Sequence, residues 1–250
     1  MTEDRTLLSV RGIEVSFAGV KAADNVTLSI NRGDFTAIIG ANGSGKTTFL
    51  NICTGYVKPQ AGAVYLEGRD ITALPPRDIA QQGIARSFQI PQLFTDQTVR
   101  ENLMLSIAAR EGIFQGFTPL DRREYREEAD VFLALVGLES VADSLAGTLP
   151  EGKRKLADVT LALALKPRLL LLDEPTSGVS ALERFDIMET LMAALRERQT
   201  SALFVEHDME VVRSYADRVL VWDAGRVISD GQPGPVFSDE RVIKSVLGAM

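Results

Sequence analysis

The stretch "FTAIIGANGSGKTTFL", residues 35–50, constrains this chain more than any other. An apolar run enters it and an apolar-periodic segment (Phe49, Leu50, Ile52, Cys53) leaves it, so a strand gives way to a helix. Gly40, Gly43 and Gly45 permit a tight turn in which the backbone closely approaches whatever it encloses. Lys46 adds a positive charge and Thr47 a hydroxyl at the helix start. The fixed positions fit G-x-x-x-x-G-K-[ST], a phosphate-binding loop. Its backbone N–H groups form a concave anion site, and the positive end of the following helix adds to it. Asn42, Gly43, Ser44, Gly45, Lys46, Thr47 and Thr48 are therefore the candidate nucleotide-binding residues, with Thr47 also a candidate Mg²⁺ ligand. A Gly-rich turn that fits by accident is the competing account. The strand–loop–helix context favours the phosphate loop.

The bulk of the chain is ordinary, with 45 % hydrophobic and 24 % charged residues over 250 positions. That suffices for one large domain with a substantial subdomain and a buried core. A net charge of −7 argues against a nucleic-acid binder, which needs a basic face, and against docking on anionic lipid through charge alone. The single cysteine, Cys53, can form no internal disulfide and reads as a small core residue on the apolar side of its helix. "MTEDRTLLSV" is polar and acidic, so no secretory signal is expected. The most apolar stretch, "VTLALALKPRLLLLDEP", is broken by Lys166, Pro167 and Arg168, short of the ~18 apolar residues of a membrane span. The expectation is a cytoplasmic protein that reaches any membrane through a partner.

The first third alternates apolar and polar residues in short runs ("LLSVRGIEVSF", "VTLSI", "FTAIIG", "AVYLEG"), which predict strands. Turn-forming pieces such as Asn31-Arg32-Gly33 and residues 58–62 join them. From about Val99 to Leu165 the period becomes helical, and the charge-dense "LDRREYREEAD" reads as a solvated helix face. "RLLLLDE" and "SALFVEHD" are continuous apolar runs ending in carboxylates, with a helical segment from Ala181 to Glu197 between them. That alternation indicates buried parallel strands with crossover helices. "RVLVWDAGRVISDG" predicts a hairpin turning at Asp223-Ala224-Gly225, followed by a short C-terminal helix. The expected plan is an α/β core, residues 1–89 and 166–250, split by a mostly helical insertion at about 90–165. A small antiparallel sheet should flank it on the N-terminal side.

Two predicted strand ends carry chemistry. Asp173 and Glu174 close "LLLLDEP", and a carboxylate at the C-terminal edge of a buried parallel strand faces the crevice of an open α/β sheet. Asp173 is placed to hold Mg²⁺ through water and Glu174 to polarise an attacking water as general base. The alternative, an N-cap for the next helix, could instead be supplied by Thr176 or Ser177. His207, the only histidine, stands at the same kind of strand end in "LFVEHD", where a neutral imidazole can donate to a γ-phosphate oxygen. Gln89, ending a predicted strand "IARSFQ", offers an amide that reaches Mg²⁺ and the water; a surface polar residue is the alternative.

The phosphate loop at 40–47, Gln89, "LLLLDEPTSG" and His207, in that order and spacing, resemble the ATP-binding subunit of an ABC transporter over essentially the whole chain. The resemblance implies a P-loop ABC-type ATPase with a RecA-like core, an N-terminal antiparallel β subdomain and an inserted helical subdomain, using ATP and Mg²⁺. It also implies that Phe17, in "VSFAGVKAADNVTL", stacks on adenine, the alternative being a core phenylalanine. "ARSFQIPQLFTDQTVRENLML", the long helical insertion and "ISDGQPGPVFSDERVIKSVLG" are similar to the branched-chain amino acid uptake branch, which includes importers of urea, amides and small organic acids. The implied partners are two membrane-spanning permease subunits and a second ATP-binding subunit, a heterodimer before a homodimer. An extracytoplasmic solute-binding protein joins indirectly, and no nucleic acid is implied. The implied location is peripheral, at the cytoplasmic face of the inner membrane.

Two positions depart from the family. Its signature, usually L-S-G-G-Q, contacts ATP bound on the partner subunit; here that place reads Leu149-Pro150-Glu151-Gly152-Lys153. Gly152 remains a nucleotide-binding candidate, whereas Pro150 lacks both hydroxyl and N–H and Glu151 brings negative charge. Ser180, in "SGVSALE", stands where the family commonly has an acidic or amide residue in the loop crossing the dimer. A weakened contribution to the partner's site is expected. A soluble ABC-type ATPase of DNA repair or translation is the second reading; acidic charge and a single nucleotide-binding unit speak against it. A non-hydrolysing regulator is the third, opposed by Glu174 and His207.

Overall fold

The computed structural model describes residues 5–112 and 120–247. β1 (Thr6–Phe17), β2 (Val20–Asn31), β4 (Ala61–Leu66) and β5 (Arg69–Asp70) form an antiparallel sheet ordered β2-β1-β4-β5, with β3 (Phe35–Gly40) lying elsewhere. β3 belongs to a second sheet with β6 (Ile84–Ser87), β7 (Leu169–Asp173), β8 (Ser201–Val205), β9 (Arg218–Asp223) and β10 (Arg226–Gly231), ordered β10-β9-β3-β8-β7-β6. Its neighbours run parallel except β10, which is antiparallel to β9.

Every residue of β3, β7 and β8 is buried, because both faces of this sheet are covered. Strand alternation sends Ile38, Leu169, Leu171, Leu203 and Val205 to one side, where Phe49 and Leu50 of α1 (Lys46–Cys53) and the inner face of the antiparallel sheet meet them. Ala37, Ile39, Leu170, Leu172 and Phe204 point the other way. There they join α6 (Ala181–Glu197) and α7 (Met209–Tyr215), together with α3 (Val99–Arg110), α4 (Arg123–Leu135) and α5 (Glu151–Ala164). The short α2 (Pro76–Gln81) leads into β6, and α8 (Pro233–Phe237) and α9 (Glu240–Val242) follow β10.

The helix expected from Ala181 to Glu197 forms with those bounds, and the hairpin before β10 turns at Ala224 and Gly225, both at positive φ. The strand read as "IARSFQ" is shorter: β6 stops at Ser87, and Gln89 lies in the loop beyond it. The helix after β7 is capped by Ser180, in a reciprocal box with Glu183, and not by Thr176 or Ser177. Those two hydroxyls are engaged elsewhere, on Glu206 and Lys155. Within the helical stretch, Glu128 of α4 accepts from Arg110 of α3 at 2.8 Å and pairs with Lys166 beyond α5 at 2.8 Å. The Arg110 hydrogen bonds pull its carboxyl from an ordinary 4.5 down to about 2. Residues 113–119 of the expected insertion and Gly248, the last residue of the C-terminal resemblance, lie outside the described residues.

Candidate functional site

The C-terminal ends of parallel strands share one edge of a sheet. β3, β6, β7 and β8 therefore deliver the phosphate loop, Gln89, Asp173 with Glu174, and His207 to one place. The loop itself is shaped by three glycines, and at Gly40 a Cβ would stand 2.1 Å from the Trp222 carbonyl oxygen. Gly43 and Gly45 have φ of 77° and 111°, and a Cβ on Gly45 would stand 2.1 Å from the Ala22 carbonyl oxygen. It would also stand 3.0 Å from Trp222 Nε1, a buried donor with no hydrogen-bond partner among the described residues. Trp222 and Phe49 pack against each other with ring centroids 4.8 Å apart.

Lys46 is buried and its Nζ donates to the carbonyls of Gly40 and Ala41 at 2.8 and 2.9 Å. Burial pushes its ammonium below the usual range, opposed by the charges of Glu174 and Asp173. Asn42, Gly43, Gly45, Lys46, Thr47, Thr48 and Glu174 line a cleft of about 300 Å³, together with Phe17 and Val20. Ser44 is buried, and its hydroxyl has no partner among the described residues. Phe17 closes β1 where Ala18 and Gly19, both at positive φ, turn the chain back into β2. It is 51 % exposed, so the core alternative does not hold.

Asp173 is buried, and its Oδ2 accepts from Arg86 Nη2 at 2.5 Å, while Arg86 Nη1 donates to Asn51 Oδ1 at 2.5 Å. Its Oδ1 has no hydrogen-bond partner among the described residues. Such an orphaned carboxylate oxygen suits Mg²⁺, a hard cation that takes one or two protein oxygens and completes its shell with phosphate and water. No group of three or more His, Cys, Asp or Glu among the described residues forms an all-protein metal cage.

Glu174 is held from both sides. Gln89 Nε2 donates to Oε2 at 2.8 Å, and His207 Nε2 stands 2.8 Å from Oε1. Gln89, Glu174 and His207 thus converge beside the loop. Gly152 does not line the cleft; it sits in the first turn of α5, where a Cβ would meet Ile187 Cδ1 at 3.2 Å. Pro150 is the N-cap of α5, with no side-chain cap bond, and the Glu151 carboxylate is tied to Arg154.

Several residues at the site escaped the sequence reading. Glu206, buried, accepts from the Thr176 N–H and hydroxyl at 3.0 and 2.8 Å, bracing the loop after β7 against the end of β8. Burial pushes its carboxyl above the usual range. On α5, buried Asp158 accepts from the Phe88 and Gln92 N–H groups at 3.2 and 2.7 Å, and burial raises its carboxyl too. Lys155, also buried on α5, reaches the same loops. The available signal was charge inside an apolar helical period, "RKLADVTLALAL".

A profile of the family described as ABC transporter matches residues 23–177. The high-affinity branched-chain amino acid transport ATP-binding protein BraF of Pseudomonas aeruginosa is 35 % identical, covering 98 % of this chain and 98 % of its own. The crystal structure of MJ1267, an ATP-binding cassette of an ABC transporter in its ADP conformation, superposes with a TM-score of 0.86 at 34 % identity, covering 97 % of this chain and 99 % of that one. A dimeric cassette, MJ0796 bound to ADP and Pi after hydrolysis, gives 0.77 at 26 % identity, covering 91 % and 99 %. With the phosphate loop, the strand-end carboxylates and the whole architecture in agreement, the chain belongs to the ABC transporter family, as one of its ATP-binding and ATP-hydrolysing cassettes.

Proposed function

We propose that this cassette powers uptake of a branched-chain amino acid or a related small polar solute such as urea, an amide or an organic acid. The solute class rests on relatives such as BraF and the LivG protein of Escherichia coli, whose names give branched-chain amino acid transport. In this reading the core, 1–89 and 166–250, binds nucleotide, and the helical part at about 90–165 passes movement to two membrane-spanning permease subunits. A second, distinct ATP-binding subunit completes the assembly at the cytoplasmic face of the inner membrane, fed by an extracytoplasmic solute-binding protein. Among the described residues no helix is long and apolar enough to cross a membrane.

The observation that carries the catalytic reading is the Glu174 carboxylate, clamped by Gln89 and His207 beside the Lys46 cleft. Phe17 stacks on the adenine, and Lys46 with the N–H groups of residues 42–48 holds the phosphates. Thr47, Asp173 and Gln89 would hold Mg²⁺, which when bound would supply positive charge against the phosphate oxygens. Glu174 accepts the proton of the attacking water, while Gln89 and His207 fix the orientation of its two oxygens. Gly152, at the head of α5, faces the partner's nucleotide. The test is uptake of labelled branched-chain amino acids, urea and small carboxylates in a strain lacking this chain. Parent protein is expected to restore one of these uptakes and Glu174→Gln to restore none; restoration by Glu174→Gln overturns the reading.

A further inference from the structure

Lys155 is a buried cation with no role in the chemistry above. It projects from α5, the helix that Pro150 opens, and its hydrogen-bond partners among the described residues lie on the two loops that carry Gln89 and Glu174. Its Nζ donates to the Glu174 carbonyl at 3.0 Å, to the Gln89 carbonyl at 3.2 Å and to Ser177 Oγ at 2.8 Å. None of the three is a carboxylate. Sequestering an ammonium from water is costly, and here that cost is offset by these three hydrogen bonds to loop atoms together with the charges of Glu151, Glu206, Glu174 and Asp158.

The backbone it fixes is unusual. Glu174 has φ of 51°, the left-handed region that a side chain with Cβ rarely adopts. Its N–H donates to the Val205 carbonyl at 3.0 Å, and its carbonyl accepts from the Ser177 N–H at 3.1 Å as well as from Lys155. The direction of the Glu174 side chain follows from that backbone conformation. Asp158, on the same helix, grips the Phe88 and Gln92 N–H groups on either side of Gln89. One face of α5 thus holds both loops in register.

We propose that Lys155 is a positioning residue for Glu174: it locks the left-handed backbone that aims the carboxylate and ties that aim to the placement of α5. Displacement of the helix that presents Pro150 and Glu151 then shifts the base of this chain's own site. The proposal rests on Glu174 being the base, and its test separates the two ideas.

The experiment measures ATP turnover in the complex purified through a tag on this chain, with parent, Lys155→Met, Glu174→Gln and the double variant. Lys155→Met keeps the length of the stem and removes the donors, and is expected to lower kcat roughly ten- to a hundredfold while KM for ATP moves less than about threefold. In the Glu174→Gln background the same change is expected to cost less than about twofold more, because it acts through Glu174. A folded Lys155→Met complex with parental kcat overturns the proposal, as does an undiminished loss in the Glu174→Gln background. If Lys155→Met does not fold, Ser177→Ala removes one partner of the ammonium at a loop position. A severalfold kcat loss at constant KM then supports the proposal, and an unchanged kcat overturns it. Parental turnover by Glu174→Gln would instead remove the base itself.

Discussion

The His207 imidazole and the Glu174 carboxylate meet across the ends of two adjacent strands, Nε2 standing 2.8 Å from Oε1. Gln89 takes the other carboxylate oxygen at 2.8 Å. Glu174→Gln keeps the shape and loses the basicity. It is expected to retain ATP binding and to lose turnover by about a hundredfold or more. With its proper partner the variant should accumulate as an ATP-bound dimer, read by equilibrium nucleotide titration and size-exclusion chromatography. Near-parental turnover would remove Glu174 from the chemistry.

Lys46→Ala removes the buried ammonium that sits on the Gly40 and Ala41 carbonyls. Loss of its charged hydrogen bonds to phosphate is expected to weaken ATP binding roughly ten- to a hundredfold. Titration with a labelled nucleotide measures this, and unchanged affinity would place the nucleotide elsewhere.

Pro150 caps α5 without a hydroxyl, and Glu151 is turned to Arg154. Two copies of this chain would share that weakened head at both nucleotide sites, whereas a distinct second subunit would complete one full site over this chain's loop. Hydrolysis by the isolated chain is expected to be weak and that of the hetero-assembly much faster. In the assembly, Glu174→Gln should remove most of the activity, and Pro150→Ser should change it little or raise it. An isolated homodimer as active as the complex contradicts this, as does loss of turnover in Pro150→Ala.

Glu128 bridges Arg110 and Lys166, and its carboxyl is held at about 2 against an ordinary 4.5. A group with a depressed folded pKa stabilises fully above its unfolded value and loses that contribution as pH falls through the folded one. Glu128→Gln is expected to cost about 1–2 kcal/mol at pH 7. The difference from the parent should narrow below pH 4.5, toward the folded value near 2, in denaturant unfolding series at stepped pH. A gap constant down to pH 3 would show that Glu128 carries no ionic contribution.

What the sequence revealed follows from the range of the forces involved. The phosphate loop, the β7 and β8 strands and α6 announce themselves through local glycines, unbroken apolar runs and periodicity, and their strand ends fix which carboxylates share an edge. Lys155, Asp158, Arg86 and Glu206 could not be placed that way. Each is a charged residue whose partners are backbone or side-chain atoms far along the chain, such as Arg86 with Asp173, and only the folded packing decides that it is buried. The helix cap differs from its local signal for a related reason: Thr176 and Ser177 are good cap residues locally, but Glu206 and Lys155 engage their hydroxyls. Ser180, a departure from the family pattern by sequence, has a local structural task as that cap.

The chain has one tryptophan, and it lies in the foundation of the phosphate loop. Trp222 is fully buried, its ring is tilted at 43° against Phe49, and its Nε1 would stand 3.0 Å from a Cβ at Gly45. Indole emission responds to nearby charge and to small changes in packing, so the molecule carries its own optical gauge, read without any label. Nucleotide entering the loop is expected to change the intensity or wavelength of that single emitter. The same titration on Lys46→Ala should reach its midpoint only at the higher concentration set by its weaker binding.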